Sequence, residues 1–501
     1  MLADIHLPEE CWECVFRFLN HHHYLESVSL VSKQFLSITN RIRSTLAIPD
    51  PTLPFLPRLL HRFPNLTSLD LTRFRGDLDA LLLQISRYPL RRLTSLDVSH
   101  HPTFPANGLR GLAEKMKTLT SLTCSHMGSL SIADILLITD CSPFLQELDL
   151  SFPKEVVHRG NNLPLALPKL LRKVNLSGES FIINDEELIR VCKNCEFLEE
   201  LDSRISDELL CSVAEEGLPL RKLVLDDCRN YTYAGISCLL SSCKFVQHLD
   251  LQSAEFLNDQ HVAELSVFLG NLISIDISYC KGLTDLALFA LIRNCSLLSE
   301  IKMKVTGIGK KKVQYSNSFM NCCVKSLHLG WNPYLGDESI KLLSLVCPNM
   351  QLLDLRCCSR ISEGVVEVLR RFCTIRDLSI GQCLGVKLHG LNFKVPNVEV
   401  LNLAHSGIDD ETLSVVAKSF CGLKYLDLEY CRSVTDKGVR KVVENCKQLR
   451  EINLHGCYRV AGSVVAWMVF SRPTLRKIVA PRDFQSSARQ SELFLRHGCR
   501  V

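Results

Sequence analysis

The 501-residue sequence lacks any marked excess of one charge: 58 Lys and Arg stand against 54 Asp and Glu, a formal +4. That balance excludes a general electrostatic hold on nucleic acid or anionic lipid, so no nucleic-acid partner is expected. Long hydrophobic runs are also missing. The longest apolar stretches, such as Ser463 to Phe470, are less than half of the roughly 18 to 20 residues a spanning helix needs, so no membrane segment is expected. Met1 to Glu10 hold three acids and no apolar stretch. No secretory signal is therefore read, and the expected location is cytoplasm, nucleus or both. Catalytic signatures are missing too: there is no P-loop, no G-x-S-x-G, no H-E-x-x-H and no zinc-finger or RING-like spacing. The chain is expected not to be an enzyme by itself, with no metal and no cofactor. A composition of 46% hydrophobic and 22% charged residues is that of a folded chain, not a disordered one.

Self-similarity is what the sequence does have. LTSLDLT (66–72), LTSLDVS (93–99), LQELDLS (145–151), VQHLDLQ (246–252), LISIDIS (272–278), MQLLDLR (350–356) and LKYLDLE (423–429) all read L-x-x-L-x-L. The residue between the last two apolar positions marks each unit, at 70, 97, 123, 149, 175, 202, 224, 250, 276, 302, 328, 354, 379, 402, 427, 453 and 479. The spacings are almost all 25 to 27, which gives about seventeen units from Leu66 to Ala480. Each L-x-L segment alternates with period two, so Leu249 and Leu251 should point inward and Asp250 and Gln252 outward. A helical stretch follows, as where Leu288, Leu291 and Ile292 form one face. Capping residues recur at its expected start: Asn258-Asp259, Thr284-Asp285, Ser362-Glu363, Asp409-Asp410 and Thr435-Asp436. A single strand-helix unit cannot close a core, but stacked units can. The expected fold is an α/β solenoid, curved, with a parallel sheet lining the concave side.

The 24 cysteines fall in phase with this repeat. Cys228, Cys280, Cys358, Cys383, Cys431 and Cys457 lie four residues after a marker, while Cys195, Cys243, Cys295, Cys347 and Cys446 lie seven before the next. Fixed phase predicts small buried hydrophobes in ladders, kept as thiols in a reducing compartment. Cys192-Lys-Asn-Cys195 and Cys11-Trp-Glu-Cys14 have no second pair or His at ligand spacing, so neither is read as a metal site. The sequons at Asn65, Asn175, Asn230 and Asn294 are read as chance matches. The marker carboxylates, Asp70, Asp97, Asp149, Asp202, Asp250, Asp276, Asp354 and Asp427, belong to the repeat and are expected to be solvated or hydrogen-bonded on the sheet face. Taken together, LDLxxC, T-D and a helix-end Cys resemble the plant-type, cysteine-containing subfamily of leucine-rich repeats. That resemblance covers about four fifths of the chain and implies a horseshoe of about seventeen strand-helix units.

The first fifty residues do not fit the repeat. Pro8 suits a first helical position, with Glu9 and Glu10 in the first turn. Cys11, Cys14, Val15, Phe18 and Leu19 fall at helical spacing, predicting one amphipathic helix. A second pattern runs through Leu25, Val28 and Val31, and a third through Phe35, Ile38 and Ile42. Three short helices are too few for a self-sufficient core. Leu7, Phe16 and Leu30, off these stripes, predict a surface completed by a partner. LPEECWECVFRFL followed by LESVSLVSKQF resembles an F-box. The matching positions are Leu7, Pro8, Glu10, Val15, Phe16, Leu19, Leu25, Ser29, Leu30, Val31, Lys33 and Phe35; Ser32 stands where Cys is common and Phe35 where Trp is common. His21-His22-His23 are read as a polar interhelical loop rather than a metal or pH site. The resemblance implies that Leu7, Pro8, Val15, Phe16, Leu30, Val31, Lys33 and Phe35 dock a Skp-type adaptor. Through it the chain would join cullin and RING subunits as the substrate-recognition subunit of an SCF-type ubiquitin ligase, contributing proximity rather than chemistry.

The expected domains are an F-box at 1–46, a linker or cap helix at 47–65, the solenoid at 66–481 and a C-terminal cap or tail at 482–501. One unit looks wrong, since Val305 to Tyr315 replaces the apolar helix with a basic run, Lys310, Lys311 and Lys312. Register is kept, so Lys302 aligns with His328, and Lys304, across Gly330, lies near Arg356, with Trp331 at the strand end. Two readings stand: an irregular repeat with solvated lysines, or a cationic patch for an acidic or phosphorylated segment of a protein substrate. Two further functions are weighed. The auxin and jasmonate receptors share this two-part layout and bind a hormone and an inositol phosphate, but on long inserted loops that these units do not have. A non-ligase interaction scaffold is the other.

Overall fold

The computed structural model describes residues 7–19, 22–157, 167–178, 185–202, 206–225, 230–311 and 319–501. The chain divides into two compact units, 1–223 and 224–501. In the first, three helices lead into a parallel sheet, and the second is a run of strand repeats, most of them with a helix. Each is an α/β solenoid segment. All seventeen marker residues are the last residue of a strand, from Asp70 to Val479. Within the second unit the register carries marker onto marker, Asp276 to Lys302, Lys302 to His328 and His328 to Asp354. Leu249 and Leu251 are buried, as period-two alternation requires, and Asp250 and Gln252 are half-buried on the other face.

Most strands end in the same turn. Where the marker is Asp, its side chain accepts the N–H two residues on: Asp70 from Thr72, Asp97 from Ser99, Asp276 from Ser278 and Asp427 from Glu429. The next residue then takes a left-handed backbone conformation, as at His100, His126, Phe152, Tyr279, Trp331 and Tyr430. That conformation costs a non-glycine residue on the order of 1 to 2 kcal/mol. A second ladder offsets it, since these N–H groups donate to the next repeat, His100 to the Ser125 carbonyl and Trp331 to that of Arg356. The marker carboxylates are thus turn-forming groups, with Asp354 and Asp427 buried rather than solvated.

The helices start where capping chemistry predicts. Asn258, Thr284, Asp409 and Thr435 each accept an N–H from the first turn of the helix they precede. The Asp that opens a helix has a second use, as a staple to the following repeat. Asp259 accepts from the N–H and hydroxyl of Thr284, Asp337 from those of Ser362, and Asp410 from those of Thr435. Ser362 serves only that staple: its helix, Gly364–Arg371, begins without a side-chain cap. The unit between markers 379 and 402 departs further, because it has no helix at all. It is only 23 residues long and carries Gly385, Gly390 and Pro396, which shorten and break the segment. Leu388, Leu391 and Val395 fill its core without helical periodicity.

The sheet starts earlier than the L-x-x-L-x-L pattern indicates. Thr45–Ala47 is already a strand, pairing with Ser68–Asp70 across the boundary drawn at residue 46, and Asp50–Phe55 and Leu56–Arg62 form the helical linker. At the other end, a helix at Ala488–Arg496 returns the chain so that Arg500 pairs with the edge strand at Lys477. The last open edge is thereby partly covered.

The cysteine rows are buried, with a polar role that their phase alone did not reveal. Cys280, Cys358, Cys383, Cys431 and Cys457 each direct the thiol to a carbonyl of the preceding repeat, at Leu251, Leu329, Leu355, Leu403 and Leu428, with S···O of 3.0 to 3.4 Å. Cysteine fits because the site is small, apolar and beside an acceptor. Cys228 lies outside the described residues. Burial pushes the Cys280, Cys295 and Cys457 thiols up to about 12, so the reactive thiolate is scarce at neutral pH. Maleimide labelling at pH 7.5 is expected to modify the exposed Cys11, Cys14, Cys322, Cys373 and Cys421 within minutes and to leave those buried thiols untouched until the protein is unfolded. Peptide mass spectrometry reads the difference, and native labelling of Cys280 at the rate of Cys373 would contradict the packing.

Candidate protein-binding surfaces

Helices α1 (Glu9–Arg17), α2 (His22–Ser29) and α3 (Lys33–Ile42) form the amino-terminal module. Pro8 sits at the cap of α1, just ahead of its first turn. Ser32 is the cap of α3, its hydroxyl accepting the Phe35 N–H at 3.1 Å. The interior is aromatic: Phe35 lies 4.8 Å from Trp12 and 4.9 Å from Phe16, ring centre to ring centre. Glu9 on α1 meets Arg41 on α3 at 2.7 Å, locking those helices together. Asn65 donates to the Arg41 carbonyl, fastening α3 to the first repeats.

This core inverts the expected face of α1. Phe16, expected on the docking surface, is the buried residue of that helix at 3% exposure. Of the stripe Cys11, Cys14, Val15, Phe18 and Leu19, all but the half-buried Leu19 are exposed, with Phe18 at 83%. Periodicity finds a stripe, but both faces of this helix carry apolar residues, and the bulkier Trp12 and Phe16 take the core. Of the other expected contacts, Leu7, Pro8, Val15, Leu30, Val31 and Lys33 are exposed and Phe35 is half-buried. Leu30, in the turn between α2 and α3, is 87% exposed. Phe18 and the exposed Tyr24 join this apolar surface without having been assigned to it. The signal for Phe18 was present in its place on the amphipathic stripe of that helix. The side chains of His21, His22 and His23 lie outside the described residues. Among the described residues no group of three metal-ligating side chains forms.

On the sheet face of the second unit, Lys302, Lys304, His328 and Arg356 do come together, but not as a bare cationic patch. Lys302 lies 3.9 Å from Asp276 and 3.7 Å from Glu300, and Lys304 is 4.0 Å from Asp354. His328 stands between Glu300 at 3.4 Å and Asp354 at 3.9 Å. The Arg356 guanidinium forks onto Asp354, Nε and Nη2 each donating at 2.9 Å. Burial pushes the Asp354 carboxyl up, but the neighbouring His328 ring, the hydrogen bonds from Arg356 and the guanidinium charge outweigh it, holding the group well below the usual carboxylate range. Neighbouring Asp377 is shifted the other way, by burial and by the Asp354 charge. Trp331 is exposed at the turn. Glu300, Asp354 and Asp377 were missed as site members; the spacing of Asp354 and Arg356, two apart on one strand face, was the available signal. Of the basic run, Lys311 pairs with Asp259 at 3.2 Å and Lys310 lies over the Tyr334 ring. Lys312 lies outside the described residues.

A family model for the F-box domain matches residues 5–46, and one for the leucine-rich repeat matches 321–344 and 422–443. Among solved structures the chain is similar to the yeast Rad7 and Elc1 complex, at 16% identity over 96% of this chain and 94% of that one, with a TM-score of 0.41. It is also similar to a TLR13–ssRNA13 complex, at 16% identity over 84% and 78%, TM-score 0.39. A third match is mouse RP105/MD-1, at 14% identity over 90% and 92%, TM-score 0.38.

Proposed function

We propose that this chain is the substrate-recognition subunit of an SCF-type ubiquitin ligase of the cysteine-containing repeat class, acting in cytoplasm or nucleus and not catalytic itself. An F-box domain coupled to leucine-rich repeats supports that reading. The observation that carries it is the exposed apolar set Leu7, Val15, Phe18, Leu30 and Val31 on a module whose core is already closed by Trp12, Phe16 and Phe35. Such a surface is unfavourable in water and is accounted for by a partner that covers it. The partner is a Skp-type adaptor, through which cullin and RING subunits are reached. The repeats hold a protein target on the sheet face around Lys302, Lys304, His328, Trp331 and Arg356, and the target is ubiquitinated and degraded. Binding raises the effective concentration of the target's lysines near the ubiquitin thioester.

Leu7→Ala with Pro8→Ala tests the adaptor step. Each large apolar contact is worth roughly 1.5 to 3 kcal/mol, so loss of this pair is expected to remove adaptor capture in a pull-down and leave the circular dichroism spectrum and thermal transition unchanged. Undiminished capture by the double variant would count against the assignment.

A further inference from the structure

The sheet face of the second unit changes character around Arg356. Two residues after each strand marker, other repeats carry Gln252, Ser278, Lys304, Glu429 and His455; on either side of Arg356 the same position holds Gly330 and Gly381, followed by Ala404. The guanidinium, held on Asp354, is thus flanked by positions without long side chains on the neighbouring strands, with the Asn402 side chain beside Gly381. Gly330 is closely packed: a Cβ there would lie 3.2 Å from the Arg356 carbonyl oxygen and 3.4 Å from the Asp354 carboxylate, so a larger residue would press on the fork.

The guanidinium is fixed but only half used. Asp354 takes Nε and one N–H of Nη2, and among the described residues no acceptor takes Nη1. Arg356 is nearly half exposed, so the free edge faces solvent. The lysines beside it sit 3.7 to 4.0 Å from their carboxylates, longer than the roughly 2.7 to 2.9 Å of a charge-assisted hydrogen bond. They are free to turn toward a ligand. Charge excludes a doubly charged ligand: Lys302, Lys304 and Arg356 are three cations against four anions, Asp276, Glu300, Asp354 and Asp377. The site has no net positive charge to balance a dianion, but it has one directional fork that matches a carboxylate.

We infer that Arg356 anchors a pocket for an unmodified acidic residue of the substrate: an Asp or Glu carboxylate takes the Nη1 and Nη2 edge while the peptide main chain crosses the floor at Gly330, Gly381 and Ala404. Lys304 closes on the ligand from one side, and Trp331 borders the pocket at the turn. This inference rests on the reading of the chain as a substrate receptor and names the substrate class for that site.

The test uses the purified full chain on an array of short random-sequence peptides whose central residue is fixed as Asp, Glu, phosphoserine or Asn. Asp and Glu peptides are expected to be retained at least about tenfold over Asn, a difference of about 1.4 kcal/mol. Arg356→Gln is expected to erase that preference and Arg356→Lys, which keeps the charge without the fork, to keep only part of it. Because Arg356→Gln also disturbs Asp354, Ala404→Phe provides the second arm: it fills the floor, leaves every ion pair in place, and is expected to lower acidic-peptide binding about tenfold. Equal binding of Asn peptides, a preference for phosphoserine over Asp and Glu, or unchanged binding by Ala404→Phe would each overturn the pocket. Adaptor capture measured on the same preparations separates the two claims. No acid preference with capture intact removes the pocket and leaves the receptor reading standing. Acid preference without capture removes the receptor reading and keeps the pocket.

Discussion

Phe16→Ala is expected to unfold the three amino-terminal helices and abolish adaptor capture, whereas Phe18→Ala, two residues on, is expected to weaken capture and leave the helices folded. Phe16 is the buried residue of α1 and packs against Phe35 and Trp12. Truncating a core Phe to Ala costs about 3 to 5 kcal/mol, and a core this small supplies little more than about 3 to 5 kcal/mol in total. The Glu9–Arg41 pair is too exposed to make up the difference. Phe18 makes no comparable core contact, since most of its surface faces water. Its loss removes roughly 1.5 to 3 kcal/mol of partner contact, about tenfold to hundredfold in affinity. Hydrogen exchange over residues 9–42 separates the two outcomes. Retained protection in Phe16→Ala would show that the aromatic cluster is not what holds the module.

The repeat was legible because period two and a spacing near 26 leave an imprint at every unit, and the marker residues fell on strand ends throughout. Helical halves were less legible where register was kept by packing alone. The segment after Ser379 looks like its neighbours in its Leu and Val content, yet Gly385, Gly390 and Pro396 carry it through the core without a helix. The face of α1 was misread for a different reason: when both sides of a helix are apolar, amphipathic spacing names a stripe and leaves open which one is inside. Ring size decided it, because Trp12 and Phe16 reach Phe35 and the smaller Val15 and Cys14 do not have to. The sheet-face site failed as a charge inventory. Counting lysines along strands sees cations, but the carboxylates that neutralise them come from three places: Glu300 on the same strand as Lys302, Asp276 one strand away, and Asp354 two strands from Lys304, which only the register brings near.

Asp354→Ala is expected to destabilise the second unit by about 3 kcal/mol at neutral pH, the low end for an unpaired buried ion pair, because the half-exposed Arg356 can turn to water once released. The carboxylate is 4% exposed and is shared by Arg356, His328 and Lys304, so its removal strands three basic groups at once. The same geometry fixes the pH dependence. Burial alone would raise the Asp354 pKa, but the neighbouring His328 ring and the hydrogen bonds from Arg356 prevail and depress it. Its contribution is therefore fully present above the unfolded value of about 3.9 and is lost as pH falls toward the depressed folded value. Asp427 has the opposite sign: burial dominates and raises it, so its ionisation counts against the fold as pH rises through that raised value. Urea unfolding at pH 7, 5 and 3 tests both carboxylates. The gap between wild type and Asp354→Ala should be widest at pH 7 and narrow at pH 3, while Asp427→Asn should stay within about 1 kcal/mol of wild type at pH 7. A gap that is the same at all three pH values would mean that Asp354 acts through its shape in the turn, where its carboxylate also accepts the Arg356 N–H, and not through its charge.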